Sequence, residues 1–62
     1  MSQIQKANKR VIDDNLVAIR QLQHLLADCK DGDNYRAILD SIGLLKEQNT
    51  KIIEEQQQYF ED

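Results

Sequence analysis

With 62 residues and a net charge of −3, the chain falls below the roughly 70–80 residues at which a single hydrophobic core is comfortably stable without a staple. One cysteine excludes an intrachain disulfide, no group of Cys, His and carboxylates offers four zinc ligands, and the acidic balance argues against nucleic acid and anionic membranes, which reward clustered Lys and Arg. Association with another chain is the stabilising device that remains.

The absence of proline and the abundance of Gln, Glu, Lys, Leu and Ile predict an all-α protein, because nothing interrupts long helices. Ser2, followed three residues later by Gln5, fits a capping box and starts a first helix over about 3–30. Lys30 suits the negative end of that helix, Gly32 can take the left-handed conformation that stops it, and Asp33 can cap the next. A second helix follows over about 34–60, with 31–33 as the turn and 1–62 as a single domain. So short a connection predicts an antiparallel hairpin, with residue n of the first helix opposite roughly residue 64 minus n of the second.

Both tracts carry heptads. In the first, Ile4, Val11, Ala18 and Leu25 recur every seven residues, interleaved with Asn8, Asn15, Leu22 and Cys29. In the second, Tyr35, Ile42, Asn49 and Gln56 alternate with Ile38, Leu45, Ile52 and Tyr59, the spacing of a coiled-coil seam. These columns are expected to face one another. Asn8 and Asn15 then approach Gln56 and Asn49 in the half remote from the turn, a polar seam of the kind that fixes register. Lys6, Lys9 and Arg10 are expected near Glu54, Glu55 and Glu61, where exposed ion pairs contribute only about 0.2–1 kcal/mol each.

The flanking columns differ. Ala7, Asp14, Gln21 and Asp28 with Ser41, Gln48 and Glu55 read as solvated surface. The opposite edge reads Gln5, Ile12, Ile19 and Leu26 with Leu39, Lys46, Ile53 and Phe60, and Leu16 lies just beyond; six of these columns' side chains are large and apolar. Leaving such side chains wet forfeits something like 1.5–3 kcal/mol apiece, so this edge is expected to be an interface. Gly43 lies beside it, either to admit a close backbone or as a tolerated surface glycine.

No catalytic constellation is found. Asp31-Gly32-Asp33-Asn34 does not continue as a calcium loop, since Tyr35 and Arg36 stand where a ligand and the glycine belong. His24 has no neighbouring nucleophile or second ligand, Cys29 reads as a small seam hydrophobe, and Asp13 and Asp14 point different ways. The expectation is a protein that is not an enzyme and needs no cofactor and no metal. No signal peptide and no run long enough to span a bilayer is visible, and the lone thiol fits a reducing compartment, so an intracellular, cytoplasmic location is expected.

Ile12-Asp13-Asp14-Asn15 and, some twenty residues on, Tyr35-Arg36-Ala37-Ile38-Leu39 give the chain a local resemblance to the N-terminal domain of the SSXT family of transcriptional coactivators. Ser41-Ile42-Gly43-Leu44-Leu45 replaces that family's Asn-Leu-x-Tyr-Leu stretch, and Asp31-Gly32 its Gly-Lys turn. The resemblance implies partner binding through a hairpin, in the nucleus. In architecture the chain is similar to the Rop family of plasmid copy-number regulators, which implies a dimeric four-helix bundle and RNA recognition. Against the latter, Lys6, Asp13, Arg20 and Ala27 do not form the basic, aromatic patch RNA requires. The residues themselves favour a non-enzymatic interaction module that self-associates, as a dimeric four-helix bundle or higher oligomer, through Ile12, Leu16, Ile19, Leu26, Leu39, Ile53 and Phe60. An adaptor that receives an amphipathic segment of another protein is the alternative.

Overall fold

The computed structural model describes the backbone of residues 2–60 and the side chains of residues 2–58. Two α-helices, α1 (Gln3–Asp28) and α2 (Gly32–Phe60), pack along their length as a hairpin, and no strand occurs among the described residues. The Cα envelope measures 48 × 16 × 10 Å, so the molecule is one helix thick.

Local chemistry sets the helix ends. The Ser2 hydroxyl accepts from the Gln5 amide at 3.1 Å while the Gln5 side chain accepts from the Ser2 amide at 2.9 Å, the reciprocal capping box that satisfies two free donors of the first turn. The turn departs from expectation. α1 stops at Asp28, and Cys29, in extended conformation, donates its amide to Leu26 O. Asp31 rather than Asp33 caps α2. Its carboxylate accepts from the amides of Asp33 at 2.9 Å and Asn34 at 3.5 Å, and its carbonyl accepts the first helical bond, from Tyr35, at 2.8 Å. Gly32 has no left-handed φ and opens α2 instead of ending α1. The three-residue link 29–31 is closed by an Asx cap, which makes a left-handed stop unnecessary, and Asp33 serves as an acidic first-turn residue at the positive end of α2.

Register follows from the cross-helix hydrogen bonds. Asn8 bonds Gln56 and Asn15 bonds Asn49, so both pairs obey the rule that residue n stands opposite 64 minus n. The residues turned inward on α2 are Ile38, Ile42, Leu45, Asn49, Ile52 and Gln56, as the heptads predict, but Tyr35, expected in the same column, is 43% exposed at the start of the helix, and the side chain of Tyr59 lies outside the described residues. α1 departs further from its heptads. Ile12, Ile19 and Leu26 lie in the seam between Asn8, Asn15, Leu22 and Cys29, whereas Ile4, Val11 and Leu25, expected there, are exposed. Both columns satisfy the three-four spacing with the shared residues. The observed one places an Ile where the other offers Val11 and Ala18, and each extra buried methylene is worth about 0.8 kcal/mol.

The ion pairs expected between Lys6, Lys9 or Arg10 and Glu54 or Glu55 do not form among the described residues: Lys9, next to Asn8, and Glu55, next to Gln56, fall on opposite flanks of that seam pair. Glu61 lies outside the described residues. The one ion pair among the described residues is local, Lys51 with Glu47 at 3.7 Å on the outer surface of α2.

Candidate functional site

The core is thin. Ile19 and Ile42 are each 6% exposed and are the buried hydrophobics of the hairpin, and among the described residues no side chain is fully enclosed. Nine large hydrophobics, by contrast, remain open to solvent, from Tyr35 at 43% to Leu44 at 62%. Among these described residues, all but Val17 and Tyr35 fall on two faces with different chemistry.

One face continues the Ile4, Val11 and Leu25 stripe of α1, with Ala18 half-buried between them. Across the seam from it α2 presents Ser41, Gln48 and Glu55 with exposed Leu44 beyond. The stripe itself carries no charge, and Asp14 and Asp28 of the next α1 column border it together with Glu55.

The other face holds a groove between the helices, resolved into two concavities. The larger, about 560 Å³, is lined by Leu16, Ile19, Arg20 and Gln23 from α1 and Lys46, Asn49 and Thr50 from α2. The smaller, about 410 Å³, lies towards the open end of the hairpin between Gln5, Lys9, Ile12 and Gln56. Of the expected interface residues, Ile12 and Ile19 therefore form the inner wall of this groove while packing in the seam, and Leu26 packs in the seam near the turn. Leu16, Leu39 and Ile53 are 49%, 44% and 46% exposed. Leu39 and Ile53 share the heptad column of Lys46, which places all three on the groove side. Phe60 closes α2, and its side chain lies outside the described residues, as does that of Tyr59.

The polar seam residues come together. Asn8 Nδ2 donates to Gln56 Oε1 at 3.1 Å, and Asn15 Nδ2 donates to Asn49 Oδ1 at 2.9 Å and to Gln48 Oε1 at 3.4 Å. Asn49, only 7% exposed, turns its own amide to the Ile12 carbonyl at 3.4 Å. Each half-buried amide thereby has a partner, and none of the buried side-chain polar atoms described is unsatisfied.

Cys29 is half-buried beside the turn, its thiol directed at the Asp31 carbonyl at 3.4 Å. His24, Asp13 and Asp14 are exposed. No three metal-ligating side chains converge among the described residues, and no described helix is long and apolar enough to cross a membrane.

Of the groove cations, the sequence placed Lys46 in the apolar edge column, Lys9 among expected ion pairs and Arg20 on an outer column; that the three line one groove is what the structure adds. The signal is periodic. Lys6 and Arg20 share one heptad column, and Lys9, Arg36 and Lys46 fall in columns on the same flank. Asp33, Asp40, Glu47 and Glu54, spaced by seven, form the outer column of α2. Fold and site together define an antiparallel two-helix hairpin with two unpartnered faces. Compared with known proteins, the chain matches no family model, no curated protein and no solved structure.

Proposed function

We propose that this chain is a non-enzymatic interaction module, a small regulator or subunit whose two-helix core is completed by a second copy to give a four-helix bundle. The observation that carries the reading is the surplus of total surface left when the hairpin closes, with nine large hydrophobics exposed on it among the described residues. The chain exposes 5249 Å², whereas a compact monomer of 7.2 kDa exposes about 4,100 Å². The difference is more than the roughly 800 Å² that each partner contributes to a standard interface. Of the two open faces, the stripe of Ile4, Val11 and Leu25 suits self-association better. In an isologous dimer each patch meets itself; the stripe itself is uncharged, with Asp14, Asp28 and Glu55 only bordering it, whereas the groove face would set Lys9, Arg20 and Lys46, which line it, against their own copies. An intracellular setting, with its free thiol kept reduced, accords with this role.

Sedimentation equilibrium of the full chain tests the reading. A species of twice the chain mass is expected at micromolar concentration, with Val11→Asp returning it to monomer. A well-folded monomer of the unaltered chain at about 100 μM, concentrated enough to populate even a weak dimer, sinks the proposal.

A further inference from the structure

The groove differs from the rest of the surface in the sign of its charge. In a chain with 11 acidic and 8 basic residues, Lys9, Arg20 and Lys46 line the two concavities and no carboxylate does. Lys6 and Arg36 extend this flank by heptad position, and Asp13 is the one acid in the same columns. None of the three lining cations is engaged in an ion pair among the described residues. Between them lie the apolar Ile12, Leu16 and Ile19, with the seam amides of Asn49 and Gln56 and the polar Gln5, Gln23 and Thr50 completing the lining.

We propose that this groove receives an acidic amphipathic helix of another protein, apolar along one stripe and flanked by Asp or Glu, as a third helix against α1 and α2. The inference rests on the reading of the hairpin as an interaction module and assigns a partner to the face that self-association leaves free. Shape and charge select this occupant together. A trough between two packed helices presents apolar residues at heptad spacing, which is what a third helix reads with its own repeat. The lining from Gln5 to Gln23 follows α1 for about 27 Å at roughly 1.5 Å per residue, close to three heptads of a bound helix. Acidic flanks meet Lys9, Arg20 and Lys46, and the same cations repel a basic helix and a second copy of this face. Nucleic acid uses the cations but not the apolar wall, and no aromatic among the described residues lines the groove for base stacking. A bilayer would take up the exposed Leu16, Leu39 and Ile53 but not the concave floor, where Ile19 is sunk to 6% exposure and Asn49 to 7% between the helices, a shape that a helix fills.

The test uses the full chain and a fluorescent peptide of about three heptads with Leu and Ile at the inward positions and Glu at the flanks, beside a twin carrying Lys at the flanks. Anisotropy is read at about 50 and about 300 mM salt, where the Debye length shrinks from about 14 to about 6 Å. The Glu peptide is expected to bind at least about tenfold more tightly than the Lys twin, to weaken with salt, and to lose at least about tenfold in affinity against R20E/K46E, which in turn gains the Lys twin. Should R20E/K46E lose helicity by circular dichroism, R20Q/K46Q makes the same comparison with a smaller expected loss. Equal binding of the two peptides, an unaltered affinity in the folded charge variant, or tighter binding of a duplex RNA or of phosphatidylserine vesicles overturns the proposal. Sedimentation of the same samples separates it from self-association. A dimer that ignores the Glu peptide defeats this inference alone, a monomer that binds it defeats only the dimer, and loss of the dimer in R20E/K46E assigns the groove to the second copy instead.

Discussion

Asn15 and Asn49 offer a test in which a single and a double substitution move stability in opposite directions. Asn49→Ala removes the 2.9 Å bond from Asn15 and the weaker contact with the Ile12 carbonyl. One such hydrogen bond contributes about 1 kcal/mol net, and an amide left without a good partner adds up to about 1 kcal/mol more. The penalty on Asn15 is softened by the surviving contact with Gln48 at 3.4 Å, and Ala returns about 0.5 kcal/mol of helix propensity. The expected loss is about 1 kcal/mol, or some 4–8 °C in Tm for a domain of this size. Asn15→Leu with Asn49→Leu removes both amides at once. At the 7% exposure of position 49, a buried Leu gains about 1.5–3 kcal/mol, and position 15 adds a smaller amount. Set against one good hydrogen bond and two at 3.4 Å, together about 2 kcal/mol net, the double variant should gain about 0.5–2 kcal/mol. Circular dichroism melts at one fixed chain concentration read both values, since mass action moves Tm in an associating protein. The double variant should also lose a unique assembly, showing mixed species in sedimentation, because the apolar layer no longer specifies what sits opposite it. If the double variant melts below Asn49→Ala, the amide pair stabilises the seam more than packing does and the reasoning fails.

Three further outcomes are expected from the same melts. Gly43→Ala should raise Tm by some 4–8 °C, equivalent to about 1 kcal/mol of helix propensity, since a Cβ at Gly43 meets nothing within 4 Å; a drop instead reveals another backbone packed there. Ile19→Ala, at one of the two buried hydrophobics of the hairpin, should cost about 2–5 kcal/mol, seen as loss of most helical signal at 25 °C, and a melt within 2 °C of the parent contradicts the packing described. Asp31→Ala should cost about 1 kcal/mol through the lost cap while Asp33→Ala costs less, and the reverse order would return the cap to Asp33.

The hairpin, its antiparallel order and its register were legible because short polar residues in both tracts have only one sensible set of partners. Asn8 and Asn15 on one helix and Gln56 and Asn49 on the other are the same distance from the turn, and the hydrogen bonds follow that spacing. The rotation of α1 was not legible from spacing alone. Columns one residue apart, Ile4-Val11-Ala18-Leu25 and Gln5-Ile12-Ile19-Leu26, both alternate correctly with Asn8, Asn15, Leu22 and Cys29, and only the volume demanded opposite Ile38, Leu45 and Ile52 separates them. The turn misled for a similar reason. Asp31, Gly32 and Asp33 each suit a cap, and the choice among them is made by backbone geometry over three residues. Of the site, Leu16, Leu39 and Ile53 were legible as an apolar edge with Lys46 in their column, while the convergence of Lys9 and Arg20 on the same groove depends on how α1 is rotated against α2.

The layered order of the seam also sets a direction in time. By the observed register, Leu26 stands opposite Ile38, Leu22 opposite Ile42 and Ile19 opposite Leu45, whereas the amide pairs occupy the half nearer the termini. Closing the chain across a short link costs least entropy at the layers next to it and more at each layer beyond. The greasiest layers are therefore also the ones with the shortest loops to close, so the hairpin zips from its bend and frays from its free ends. Hydrogen exchange should slow progressively from Asn8 and Gln56 towards Leu22 and Ile42.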